Sequence, residues 1–437
     1  MTKKIFLILA FLTISSSMAQ GDAWLQLTDY GSSMIRVAVL NFNTKEQSYG
    51  AAWDSTIATL TEVLRNDLSF SPFIEVVDTS LYPKKKVDFP KNIDPFQWSS
   101  MRIQVLIIVS FDTDGYKVTM EPLVWSVTGM SRMFKQKYSS DASQARRLVH
   151  RMSDDIHKVL TGEDGVAQTQ IAFVSTRWGG NKELYISDYD GYAPRRITDA
   201  RSIVMSPDWS PTGDRIAYMS FLNDNPDIYI YDIYKNRETL AIRHSGQSIT
   251  PAWSPDGRYI CYSKDVGGNS ELFLRDVRTN EETRLTFTPH AIESSPTFSP
   301  NGREIAFTSD RSGTPQIYIM DVMGTNVRRL TFEGSYNDGA NWSPRGDKIC
   351  YTSRFDYSFE IAVIDLAIGK PVYLTSVGSN ENPYWSPDGY HIVFKSNRTG
   401  RYQLYTMNWD GTEVRRITGL GENFSPAWSP RYKWSFD

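Results

Sequence analysis

The sequence predicts a small mixed α/β region followed by a six-bladed β-propeller. Three observations carry this reading. A "WSPDG"-type turn returns six times, with its aromatic at Trp209, Trp253, Phe298, Trp342, Trp385 and Trp428, spaced by 43 to 45 residues. Between these turns run short alternating strands, such as "RIAYMS", then "DIYIYD", then "RRLT" or "RRIT". The first and last repeats are incomplete, and each supplies what the other lacks.

The start of the chain reads as a signal. Lys3 and Lys4 precede an apolar run from Ile5 to Ile14, and Ser17-Met18-Ala19 places small residues before Gln20. Residues 1–19 are therefore expected to be a secretory signal peptide, too short to span a bilayer. No Cys follows the run, so a lipid anchor is not expected, and the mature chain is expected to be exported and soluble. The formal net charge of −3 offers no basis for a nucleic-acid partner.

Residues 20–33 precede the first predicted strand, and residues 34–165 do not repeat. "IRVAVLNF" from Ile35, "FIEVVD", "VLIIVSFD", "KVTMEPLVWSV" and "RMFKQKY" read as strands. Residues 53–68 read as a helix with Ile57, Leu60, Leu64 and Leu68 on one face. Residues 141–161 read as a second helix with a stripe of Leu148, Met152, Ile156 and Leu160. Ser140 or Asp141 is the expected N-cap, and Gly162 the expected C-cap.

Residues 166–437 carry the repeats. Four short strands in about 44 residues match one propeller blade. The inner strand carries the Trp, which is expected to face a neighbouring blade. In the turn, Pro presets φ and Gly suits the exit. Ile171-Ala172-Phe173 lacks an inner strand before it, and Trp428 lacks a strand after it. The strand near Ser425–Ser429 is therefore expected to close the ring against Gln170–Ser175, removing an exposed edge. Cys261 and Cys350 hold equivalent positions in non-adjacent blades, so both are expected to be free, buried thiols.

Catalytic chemistry is not expected. A serine hydrolase needs G-x-S-x-G, and the nearest stretch, Gly246 to Thr250, lacks the last Gly. A metal-dependent lyase needs several converging His or carboxylates, and only His244 and His290 occupy equivalent connectors. The connectors into the inner strands are polar and acidic, with Glu293, Asp338, Glu381 and Glu422 beside Asn337, Asn382 and Asn423. Such a ring of acceptors around the channel mouth suits peptide N–H groups, or a hard cation such as Ca²⁺. No catalytic, metal or cofactor residue is assigned.

The order of parts, the junction "LTGEDGVAQTQIAFVS", the stretch "LYISDYDGY" and the final "SPAWSP" together resemble the TolB family of the periplasmic Tol-Pal envelope system. The resemblance covers essentially the whole mature chain. It implies a periplasmic adaptor rather than an enzyme, peripheral to membranes only through its partners. It implies that a Pal-type peptidoglycan-associated lipoprotein binds the channel mouth, here His244, Glu293, Asp338 and Glu381. It also implies that a TolA-type inner-membrane protein binds the mature N-terminus, here Asp22, Trp24, Leu25 and Leu27 within Gln20 to Gly31. The implied role is outer-membrane integrity and constriction at cell division. The alternative is an exported propeller that binds or cleaves glycans.

Overall fold

Strand Ile35–Val39 pairs in parallel with Ile74–Val76 on one side and with Val105–Thr113 on the other. Val105–Thr113 then pairs antiparallel with Lys117–Ser126. The central strand Val105–Thr113 is an apolar run because both of its faces are covered. Helices Ala51–Ser69 and Ala145–Thr161 bury their stripes on one face, where Leu64, Leu68, Met152 and Ile156 meet Val37, Val105 and Ile107. Trp98, on the short helix Pro95–Ser100, fills the other face with Ala38, Leu106 and Val127.

The computed structural model describes residues 34–44, 49–83, 94–355 and 357–431. The expected signal peptide and the segment 20–33, with Asp22, Trp24, Leu25 and Leu27, lie outside the described residues.

Two local expectations are corrected. "RMFKQKY" is not one strand but two, Ser131–Lys135 and Tyr138–Asp141, which pair with different parts of Lys117–Ser126. The second helix begins at Ala145, after a 3₁₀ turn at Ala142–Gln144, and neither Ser140 nor Asp141 caps it. Asp141 is instead the last residue of an extended strand. Gly162 does end this helix, at φ 78° in the left-handed region.

Six four-stranded sheets follow, and the ring closes as expected. Inner strand Asn423–Trp428 pairs antiparallel with Gln170–Ser175, setting Trp428 opposite Ile171 and Ala427 opposite Ala172. We number the blades from this one. The inner strands of blades 2 to 6 are Val204–Trp209, Ser248–Trp253, Glu293–Phe298, Asn337–Trp342 and Asn380–Trp385.

The repeated residues each have a local task. In blade 3, Ser254 Oγ donates to Asp256 (2.5 Å) and accepts from the Tyr259 N–H (2.8 Å), tying off the turn that Gly257 exits at φ 67°. The Trp side chains pack on the preceding blade, as Trp385 does on Cys350, Ile361 and Val363. Trp385 Nε1 donates to the Asn341 carbonyl (3.2 Å), and Trp209 Nε1 to that of Ala427 (3.1 Å). The Thr of "RRLT" is a clasp. Thr375, for example, donates to Glu360 (2.6 Å) and accepts from the Ile361 N–H (2.9 Å). Thr198 and Thr286 do the same in blades 1 and 3, and Thr331 and Thr418 do so in blades 4 and 6 with Gln316 and Gln403 in place of the Glu. Blade 2 alone has an apolar residue, Ile242, at this position. Both Cys are buried and free.

The α/β region docks on blades 1 and 6. Phe70 stacks on His391 (centroids 4.1 Å apart) and meets Tyr189 edge-on (5.1 Å). Its carbonyl hydrogen-bonds His391 Nε2 at 2.7 Å. Asp67 accepts from the Tyr189 hydroxyl (2.8 Å) and pairs with His150 Nδ1 (2.8 Å). Burial alone would lower the His150 pKa, but the Asp67 carboxylate outweighs it and raises the value above 6.5. A raised folded-state pKa gives stability that is complete below the unfolded value of about 6.5 and is lost as pH rises through the folded value. The wild type should therefore lose thermal stability from pH 6.5 upward more steeply than His150→Gln does. Parallel melting curves for the two would refute this contribution.

Candidate functional site

The inner strands all run away from one mouth of the channel. Each carries a bulge, so that a residue in the left-handed region, such as Ser206 (φ 52°), Thr250 (50°), Ser295 (50°) or Asn382 (53°), lines the channel wall. The channel holds a cavity of about 270 Å³. Tyr384 reaches across it from blade 6 and donates to Asp208 of blade 2 at 2.8 Å. The Asp208 carboxylate also accepts from the Trp253 N–H (2.6 Å), and burial pushes its pKa up to about 6.

At the mouth, register separates the predicted residues. Glu293 is the first residue of its strand, equivalent to Asn337, Asn380 and Asn423, and all four are fully buried. It differs from the expectation. Its carboxylate points inward, paired with Arg311 (2.9 Å) and Ser309 (3.0 Å), and offers no surface to a partner. Asp338 and Glu381 are second residues of their strands in adjacent blades, and both are half-buried. Asp338 accepts from Thr308 (2.7 Å), Ser295 (3.1 Å) and Tyr336 (3.2 Å). Glu381 pairs with Lys395 at 3.1 Å and accepts from Tyr402 at 3.3 Å. The Tyr336 pKa is pushed up by burial, then by Asp338 and by Glu381, so the two carboxylates share one field.

His244 lies apart from this pair. It sits over the outer half of blade 3, bonded to Glu282 (3.0 Å) and Tyr262 (3.2 Å). Burial lowers its pKa despite Glu282, so the ring is neutral at pH 7.

The remaining second positions are Phe424, Met205, Ile249 and Ser294, in blades 1 to 4. The mouth thus has an acidic arc on blades 5 and 6 and an apolar arc on blades 1 to 3. Lys182 (4.7 Å) and Lys395 (5.7 Å) stand over the Phe424 ring. Ile203, Ile292, Val377 and Leu420 are exposed on the surrounding connectors, at 42%, 56%, 59% and 72%. Sequence reasoning looked for acids in these connectors and passed over the apolar arc. The signal was present, because Phe424, Met205 and Ile249 all stand just before an "S-P" or "T-P" pair. Among the described residues, no cluster of three or more His, Cys, Asp or Glu could hold a metal ion, and no helix is long and apolar enough to cross a membrane.

Comparison with known proteins gives consistent matches. Residues 157–432 match the family described as the TolB beta propeller domain, and residues 24–130 the TolB amino-terminal domain. The Tol-Pal system protein TolB of Geobacter sulfurreducens is 37% identical over 210 residues, covering 47% of this chain and 48% of that protein. The TolB of Methylobacillus flagellatus is 31% identical over 247 residues, covering 56% of this chain and 55% of that protein. The chain thus spans about half the length of the curated relatives it matches. The crystal structure of TolB from Acinetobacter baumannii superposes with a TM-score of 0.78 at 26% identity, covering 91% of this chain and 97% of that one. With both the propeller and the amino-terminal region matched, the chain belongs to the TolB family.

Proposed function

We propose that this protein is a periplasmic, non-enzymatic adaptor of the Tol-Pal system, acting in outer-membrane integrity and in constriction at cell division. Its channel mouth is the docking surface for a Pal-type peptidoglycan-associated lipoprotein. The observation that carries this is the two-sided mouth, with Asp338 and Glu381 facing an apolar arc of Phe424, Met205 and Ile249. Apolar anchors supply most affinity in such interfaces, and rim charges supply rate and specificity. His244 extends the surface over blade 3, and Glu293 supports it from beneath. The mature N-terminus, with Asp22, Trp24, Leu25 and Leu27, is the epitope for a TolA-type inner-membrane protein. A short segment with a few apolar anchors can dock by adding a strand to a partner. The residue ranges 20–33, 34–165 and 166–437 are the corresponding functional parts.

The experiment is a calorimetric titration with the lipoprotein. Asp338→Asn with Glu381→Gln keeps side-chain shape and removes both charges. It should weaken binding about tenfold and flatten its salt dependence, with the melting temperature nearly unchanged. Unchanged affinity in this variant would place the lipoprotein elsewhere. A chain lacking residues 20–31 should keep the lipoprotein and lose the inner-membrane partner. If that chain binds both partners normally, the N-terminal epitope is refuted.

A further inference from the structure

The outer edge of the ring is uneven. Outer strands have two or three residues in five blades, as in Arg195–Arg196 and Glu282–Arg284. Such short edges discourage strand pairing with other chains. Blade 2 breaks the pattern with the six-residue strand Arg237–Ile242. The cause is local. Here Ile242 replaces the clasp Thr, and the buried Asp227, at the position of Glu183 and Glu360, has no Thr to bond and lies 3.4 Å from Arg243 Nε instead. Without the clasp, the chain continues along the sheet as far as Ile242, opposite Ile228.

This strand is the last of its sheet, so half of its backbone groups face outward. The Ile233 N–H donates back to Asp214 (2.8 Å), which fixes the alternation along the third strand. Asp232 and Ile230 then turn their backbone groups toward Arg237 and Thr239. The groups of Glu238 and Leu240 are left facing solvent, and Leu240 is 43% exposed.

Beside this edge lies a groove of about 380 Å³ between blades 2 and 3. Its floor is apolar, with Ile230, Ile242, Ile260 and Val277. Its walls carry Arg215, Lys235, Arg237 and Arg275 against the single carboxylate Asp232. Lys235 pairs with that carboxylate (3.0 Å), and the Arg215 guanidinium lies over the Trp253 ring (4.9 Å) with its Nε 3.6 Å from the Asp214 carboxylate. Arg237 forms no ion pair among the described residues. Arg215, Asp232, Arg237, Thr239 and Ile230 share one sheet face through their cross-strand pairing.

We propose that the edge Arg237–Ile242 is a second docking site, which takes an extended acidic segment of a partner protein as a fifth strand of blade 2. An added strand pairs with the outward groups of Glu238 and Leu240. Its alternate side chains then point over the groove, where carboxylates meet Arg237, Arg275 and Arg215. Charge complementarity selects this occupant. A second copy of the chain would bring the same cationic groove to the same edge.

The test uses a labelled, end-capped hexapeptide alternating valine with aspartate, read by fluorescence anisotropy on the full chain. One control replaces aspartate with lysine, and another carries an N-methylated backbone. The acidic peptide should saturate the protein, and each control should bind at least about tenfold more weakly. Arg237→Glu with Arg275→Glu should reverse the preference toward the lysine peptide. Leu240→Pro removes one outward N–H and should weaken the acidic peptide in a protein whose melting temperature confirms folding. Equal binding of acidic and lysine peptides, indifference to N-methylation, or no binding at about 1 mM would overturn the proposal. So would a concentration-dependent dimer that the acidic peptide fails to dissociate.

Discussion

Deleting residues 424–437 should abolish the native ring. The deletion takes the strand that pairs with Gln170–Ser175, leaving Ile171 and Val174 with a bare edge. It also removes Trp428, 2% exposed, whose indole nitrogen donates to Thr169 at 2.7 Å. Truncating a buried Trp alone costs about 3–5 kcal/mol, and a typical domain has only about 5–15 kcal/mol in total. The loss of a whole inner strand is larger still. Purified truncated protein should aggregate and show no cooperative melt. A monomer that melts like the parent would refute closure through the C-terminus.

The second large effect is expected at the junction of the two regions. Phe70 belongs to the α/β region but is buried in a propeller cluster with Ile171, Phe173, Tyr189 and Trp428. Phe70→Ala removes the stack on His391 and the edge contact with Tyr189, and leaves a cavity against Trp428. Phe-to-Ala changes at such sites cost about 3–5 kcal/mol. The cost falls on docking rather than on either core, because Phe70 lies outside the cluster of Leu64, Val105 and Met152. Calorimetry should resolve the single transition of the parent into two, with the propeller melting higher. One unshifted transition would show that Phe70 does not couple the regions.

Much of this fold was legible because the repeat forces each residue type into one physical task. The Trp spacing gave the blade period, and the two incomplete ends gave the closure that Trp428 and Ile171 make. The Cys positions were readable because Cys261 and Cys350 stand where other blades have Ala172, Ala217, Ala306 and Val393. What was not legible depends on register and on contacts distant in sequence. Glu293 looks like Asp338 and Glu381 in a list of connector acids. A shift of one residue along a strand turns it from the mouth into the core, where Arg311 receives it. His150 and His157, on the second helix, bond Asp67 and Ser71 at the end of the first helix, a pairing of residues more than 80 positions apart. The helix start moved from Asp141 to Ala145 because the preceding strand, invisible as a separate element, uses Asp141 for pairing with Lys117.

The central claim is that the mouth with its acidic and apolar arcs is where the lipoprotein docks. Hydrogen–deuterium exchange on the full chain, with and without saturating lipoprotein, tests it most directly. Protection should appear in the connectors and strand starts that hold Ile203, Ile249, Ile292, Asp338, Glu381 and Phe424. It should be absent from the outer strand Arg237–Ile242 and from the helix Ala51–Ser69. Protection confined to that helix or to that outer edge, with the mouth unchanged, would contradict the account.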